Sequence, residues 1–222
     1  MTATKVDYDI EQEIISELEW ELGDAAENIG VQTHAGVATL TGNVRTYEAK
    51  LAAQEAALRV YGITDVANEL NVKVVPPHDR TDAEIARAVR NSLEWDVMVP
   101  DDKITSTVSD GFVTLRGSVE VLRERNEAET AVRRLAGVRG VHNEILVSPP
   151  KVDAEDLQFK LERALERRAM REANRIGVRV HDGHVTLLGR VQSWDEKRAI
   201  VGLVSHAPGV KFVEDLLAVN GY

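Results

Sequence analysis

Asp110-Gly111-Phe112-Val113-Thr114-Leu115-Arg116-Gly117-Ser118-Val119 is the stretch on which the fold turns. Asp-Gly is a strong two-residue hairpin signal, because a type I′ turn needs φ > 0 at both central positions. Val113 and Leu115 then alternate with polar neighbours, as in a half-buried strand. Gly117 interrupts that strand, and a glycine there marks a bulge or a close backbone approach. The string recurs as Asp182-Gly183-His184-Val185-Thr186-Leu187-Leu188-Gly189-Arg190-Val191. It recurs again, with a variant turn, as Ala35-Gly36-Val37-Ala38-Thr39-Leu40-Thr41-Gly42-Asn43-Val44. A shift of 75 residues lays the first third of the chain on the second, and a shift of 72 lays the second on the third. No gap is needed inside the repeats, so one supersecondary unit is present in three copies.

Outward from the hairpin, each copy opens with apolar residues four apart: Ile10, Ile14, Leu18, Leu22; then Ile85, Val89, Leu93, Val97; then Leu157, Leu161, Leu165, Ala169. That spacing predicts an amphipathic helix. Thr81 with Glu84 and Asp153 with Asp156 stand where an N-cap and its acidic partner belong, and Asp7 is the expected cap of the first helix, one position later. The first hairpin strands are read at Ile29-x-Val31, Ile104-x-Ser106-x-Val108 and Ile176-x-Val178-x-Val180. After each hairpin a second helix carries Ala53, Ala56, Ala57, Val60; Ala128, Ala131, Val132, Leu135; and Ile200, Leu203, Val204, Ala207. It ends at Gly62, Gly137 or Gly209, which suit a helix C-terminus. A last strand alternates through Val66-x-Asn68-x-Leu70-x-Val72 and its counterparts from Val141 and Val213. The expected fold class is α+β: three tandem αββαβ modules, each a small three-stranded mixed sheet packed on two helices, with the other sheet face open to solvent or a neighbour. The expected domains are 1–76, 77–150 and 151–222, joined at the proline pairs Pro76-Pro77 and Pro149-Pro150, which favour stiff, extended linkers.

Composition narrows the functional classes. Apolar residues make up 43% of the chain, enough for a core, and no apolar run reaches membrane-spanning length. The first nine residues carry no apolar leader, so the expectation is a cytoplasmic protein, or a periplasmic one if a leader was removed. Without cysteine there are no disulfides and no thiolate metal sites. The net charge of −10 is uneven. It is −8 up to Pro76 (5 Lys/Arg against 13 Asp/Glu), −3 from Pro77 to Pro150 (10 against 13), and +1 from Lys151 onward (12 against 11). An acidic chain repels phosphate, so nucleic acid is not an expected partner. The P-loop, nucleophile-elbow and His-Glu-x-x-His motifs are absent, and the scattered carboxylates give no acid–base pair, so no enzyme and no cofactor are expected.

The repeated Gly-x-Val-Thr-Leu-x-Gly-x-Val around Gly111 and Gly183, closed by Gly-Val-x-x-Val-x-Asn from Gly137, resembles the BON domain, named for the bacterial osmotically inducible protein Y and nodulation proteins. Nearly the whole chain is covered, as three domains. The resemblance implies a non-catalytic, stress-associated module that binds phospholipid or surfaces of the bacterial envelope. It carries no catalytic residues across.

Residue by residue, the binding candidates are few. Trp20 and Trp95 share one position of the first helix, where copy three has Arg167; they read as packing at the edge of the core, with a contact to another domain or a membrane as the alternative. The first helix of copy three carries Lys160, Arg163, Arg167, Arg168, Arg171 and Arg175 among Glu162, Glu166 and Glu172. Such a run is a solvated face or an anion-binding one, and an anionic phospholipid surface is the partner it suits. The matching helix of copy one holds Glu13, Glu17 and Glu21, so a protein–protein scaffold or head-to-tail self-association is the competing expectation; a small-ion or ligand sensor is a weaker third. His181 and His184 flank a turn without a third ligand nearby, and no metal site is assigned. Gly36, Gly111 and Gly183 are assigned to turns, Gly42, Gly117 and Gly189 to the strand interruption.

Because each module has its own helix faces and sheet, fragments 1–76, 77–150 and 151–222 are expected to fold separately. Circular dichroism and thermal melts check this; three unfolded fragments would instead mean one cooperative core.

Overall fold

The computed structural model describes residues 5–75, 79–149, 152–168 and 176–219. Pro76, Pro77 and Pro150 of the linkers, and Ala169, Arg171 and Arg175, lie outside the described residues. The first module is α1 (Lys5–Leu22), a short 3-10 turn, β1 (Ile29–His34), β2 (Val37–Val44), α2 (Tyr47–Arg59), β3 (Asp65–Asn68) and β4 (Asn71–Val72). The second is α3 (Asp82–Trp95), β5 (Ile104–Ser109), β6 (Phe112–Val119), α4 (Leu122–Arg133) and β7 (Gly140–Val147). The third is α5 (Ala154–Arg168), β8 (Ile176–His181), β9 (His184–Val191), α6 (Trp194–Ser205) and β10 (Phe212–Val219).

Each sheet has the hairpin's return strand in the middle, and the orders are β1-β2-β3, β5-β6-β7 and β10-β9-β8. The hairpin pairs are antiparallel, with His34 opposite Val37 and His181 opposite His184, so only two residues make each loop. The last strand runs parallel to the middle one, as in the register of Val37 with Asp65 and of Phe212 with His184. A parallel return needs a crossover, and the second helix of each module supplies it. In the first module this last strand is split in two, and β4 pairs β2 separately at Asn43 and Val44.

The turns hold φ of +51° and +78° at Asp110-Gly111, +48° and +81° at Asp182-Gly183, and +50° and +82° at Ala35-Gly36. Ala35 is the costly member of the set, since a Cβ disfavours the left-handed region and Asp or Asn tolerates it better. The strand glycine has another task. Gly42 and Gly117 adopt φ of +116° and +150°, and a Cβ on either would overlap the carbonyl oxygen of Asn28 or Lys103 respectively. The chain entering the first strand therefore crosses directly over the glycine of the second.

Alternation sends Ala38, Leu40, Val113, Leu115, Val185 and Leu187 to the helical side, where all six are fully buried. Ala38 and Leu40 share a core cluster with Ile14 and Leu18 of α1, and Val185 and Leu187 share one with Leu157 and Leu161 of α5; Ile85, Val89 and Leu93 of α3 are buried as deeply, all of these helix residues being at most 3% exposed. Full burial of such side chains is worth roughly 1.5–3 kcal/mol each, so the buried apolar faces dominate each module's stability. Thr81 and Glu84 form a reciprocal capping box, in which the Glu84 N–H reaches Thr81 Oγ1 and the Thr81 N–H and hydroxyl both reach Glu84 Oε2. The Thr81 backbone bond, then its hydroxyl, hold the Glu84 carboxyl below the usual carboxylate range. That stabilisation is present above the ordinary carboxylate pKa and is lost as the pH falls through the lowered one.

The motif asparagine is a clamp on the last strand. Leu70, Ile145 and Leu217 each donate their N–H to the side chain two residues earlier, Asn68 (3.3 Å), Asn143 (3.3 Å) and Asp215 (3.0 Å). A cation from the second helix takes the carbonyl of the same residue: Lys50 at 2.8 Å, Arg125 at 3.2 Å and Lys197 at 2.7 Å. The two asparagines also donate back to the carbonyls of Lys50 and Arg125, at 2.8 and 2.9 Å. A carboxylate cannot donate, and in the third module Asp215 instead pairs with Lys197 at 3.3 Å.

Three expectations are corrected. Asp7 lies inside the first turn of α1 rather than capping it. Val97 does not extend the buried stripe of α3: the helix ends at Trp95, and Val97 is 95% exposed. Gly62, Gly137 and Gly209 do not follow their helices directly. They sit at φ of +92° to +97° inside hydrogen-bonded turns that close between Val60 and Ile63, Leu135 and Val138, and Ala207 and Val210.

By packing, the chain divides into two compact units, whose bounds are Met1–Arg90 with Thr107–Val113 and Val132–His142, and Asn91–Ser106 with Thr114–Ala131 and Asn143–Tyr222. In the first, Glu48 of α2 receives both Arg133 (2.9 Å) and Arg134 (3.1 Å). In the second, Leu122 joins the core of the third module, with Val147 packed against it.

Gly117→Val is expected to lower stability by about 1–3 kcal/mol or more, since it adds steric overlap to a left-handed backbone strain of that size. Gly111→Val, whose Cβ would meet the Gly137 carbonyl oxygen at 2.9 Å where that of Gly117→Val overlaps the Lys103 carbonyl oxygen much more closely, should cost less. Chemical denaturation checks the order; equal stability of both variants and the parent would contradict the crossing.

Candidate interaction surfaces

Trp20 and Trp95 occupy the last turn of α1 and α3, off the buried stripe, and each is 86% exposed. They do not pack at the edge of the core. Trp95 is continued by exposed Val97 and Met98, so the end of α3 is an apolar projection between Glu94, Asp96 and Asp101. On α5, Phe159 is 57% exposed and the Arg163 guanidinium lies over its ring at 5.7 Å, an aromatic and a cation presented together. Lys160 is held by Asp156 at 2.6 Å, one turn back. Arg167 falls within α5, but its side chain, like all of Arg171, lies outside what is described.

The acidic face of α1 is partly occupied. Arg59 at the end of α2 reaches Glu17 at 3.2 Å and Glu21 at 2.7 Å. Burial works against the charge of Arg59, but the bonds to Glu21 and Glu17 outweigh it and raise its pKa. Two of the three glutamates expected to reach toward another module are therefore already engaged inside their own, and Arg59 is the residue that sequence reading missed. Its lone arginine in an alanine-rich helix gave no signal.

His181 and Asp182 are almost fully exposed at the turn, 3.6 Å apart. His184 instead meets the ring of Phe212, with 5.8 Å between centroids. Among the described residues no group of three or more His, Asp or Glu could hold a metal ion, and no described helix is long and apolar enough to cross a membrane. Trp194 is half-buried, with Lys197 Nζ 4.9 Å above its ring.

The sheet faces turned away from the helices differ between modules. Across the middle of the first run Gly30, Thr41 and Glu69, with Thr41 Oγ1 donating to the Gly30 carbonyl at 3.5 Å. Across the second run Thr105, Arg116 and Glu144. There Thr105 bonds the Arg116 carbonyl, and Arg116 pairs with Glu144 at 2.8 Å. The corresponding row of the third module is Gly177, Leu188 and Leu216, in register across β8, β9 and β10. Leu216 is 53% exposed and Leu188 half-exposed.

Comparison with known proteins agrees with this architecture. The BON domain family model matches residues 7–74, 81–149 and 153–221. Osmotically-inducible protein Y of Escherichia coli (strain K12) is 27% identical over 122 residues, which is 53% of this chain and 61% of that protein. The chain thus spans less than two thirds of that relative's length. Two structures of CdsD, titled as a structural protein of the type III secretion system of Chlamydia trachomatis, also match. The first is 12% identical at a TM-score of 0.28 and covers 100% of both chains. The second is 13% identical at 0.24 and covers 96% of this chain and 92% of that one. Scores that low bear on neither fold nor function. Three αββαβ modules in tandem, each matched over nearly its whole length, place this chain in the BON domain family.

Proposed function

We propose that the protein is a non-catalytic, stress-associated binding protein that engages an anionic phospholipid or envelope surface. The observation that carries the reading is the exposure of Trp20 and Trp95, each at 86%, on first helices whose inner faces are fully buried. A tryptophan left in water on a well-packed helix is suited to the boundary between water and lipid, where an apolar ring and a polar N–H are both satisfied. Phe159 beside Arg163 repeats the arrangement on α5 and adds a positive charge. The osmotic setting comes from the name of the Escherichia coli relative, and the location at the envelope from the family.

Vesicle flotation tests it. The protein should float with phosphatidylglycerol vesicles at low salt, and less as salt screens the attraction. Trp95→Ser with Val97→Ser removes apolar contact and should weaken binding by about tenfold or more, the scale of one buried large side chain. Arg163→Glu should weaken flotation most at low salt and flatten its salt dependence. Flotation unchanged in all these variants, or no flotation at any salt, would remove the reading.

A further inference from the structure

We infer that the open sheet face of the third module is a docking surface for the first module of a second copy of this chain. The modules supply their own comparison. The middle row of that face is polar and hydrogen-bonded in the first two modules, as Gly30, Thr41 and Glu69 and as Thr105, Arg116 and Glu144. The fold therefore does not need apolar side chains there. In the third module the row becomes Gly177, Leu188 and Leu216. Gly177 has no side chain, so the row is a shallow trough walled on one side by two leucines. Phe212, 53% exposed, adds apolar surface four residues back along β10, as Phe112 of β6 does in the second module at 45%. An apolar row on a solvated sheet face is the kind of patch that marks an interface.

Charge selects the occupant. Arg179 and Arg190 stand exposed beside the row, and Lys211 lies at the end of the same sheet. Against these stand Glu214, whose carboxylate accepts from Thr186 Oγ1 at 2.9 Å, and Asp182 at the turn, so among the described residues of the face cations outnumber carboxylates three to two. The trough therefore suits an apolar anchor set among acids. The first module, at net −8, presents that on α1: Trp20 at 86% exposure, with Glu13, Glu19 and Asp24 exposed around it. Glu17 and Glu21 are held by Arg59 and are not required. Tryptophan and arginine are the residues that most often dominate an interface. Exposed charges contribute little by themselves, so the leucines and Trp20 carry the contact and the charges orient it. The two patches differ, so the contact is head-to-tail and leaves a free patch at each end of a dimer; the assembly closes into a ring or grows.

Light scattering without lipid tests this independently of membrane binding. The average mass should rise above the 24.5 kDa monomer with concentration at low salt and fall back as salt increases. Leu188→Thr with Leu216→Glu installs the residues that the first module carries at those places, so the fold is retained. That variant should be monomeric, and so should Trp20→Ser. Mixing the two should restore a dimer, because each keeps the patch the other lacks. A wild-type monomer at every concentration overturns the inference, as does association that survives Leu188→Thr with Leu216→Glu, or a mixture that stays monomeric. Loss of vesicle flotation in the leucine variant, with the wild type monomeric in solution, would assign the row to the membrane and overturns it as well.

Discussion

The register of each hairpin depends on two left-handed residues in succession. With Asp110-Gly111 or Asp182-Gly183 in that conformation, the return strand starts immediately, and the side chain at every second position is committed to one face. A slip of one residue would turn Leu115 and Leu187 to solvent and bring Thr114 and Thr186 into the core. The strand glycine enforces the same choice a second time. Gly42 and Gly117 admit the backbone of the incoming chain at one place only, beneath Asn28 or Lys103. Turn and crossing together leave no alternative pairing, and the helices then have a fixed apolar face to cover.

From that register the rest follows in order. The parallel last strand needs a crossover, and the second helix supplies it while burying its alanines or valines. The strand is then held by a side chain on the N–H and a cation on the carbonyl of one residue. Asn68 with Lys50 and Asn143 with Arg125 use an amide that both accepts and donates, whereas Asp215 with Lys197 substitutes charge for the lost donor. One constraint is met by two chemistries, which identifies the motif asparagine as part of the frame rather than of a ligand site. The residues the three modules share are thus spent on shape, and what distinguishes the modules lies on the surfaces they leave open.

Those surfaces diverge in a consistent direction. The first module is acidic and presents Trp20. The second ends α3 in an apolar projection. The third combines a leucine row with arginines. Because the three share one frame, the polar middle rows of the first two modules set the baseline for the third. The proposed surfaces are all departures from the repeat, as for sites grafted on a common fold.

The sequence by itself determined the three modules, the order αββαβ, the Asp-Gly turns and which residues of each strand face the core, because periodicity and turn chemistry are local properties. It did not determine the fate of residues whose environment is assembled from distant segments. Trp20 and Trp95 lie beside the apolar stripe, and only the path of the neighbouring described elements left each of them 86% exposed. Val97 continues the stripe by spacing, but α3 stops at Trp95 and leaves it in water. Glu17 and Glu21 read as free charges until α2 brings Arg59 against them. Gly177, Leu188 and Leu216 belong to three strands and become a row only through the pairing of β8, β9 and β10. A strand's alternation is written along the chain, whereas the neighbours across a sheet are set by register, and that is a property of the folded structure.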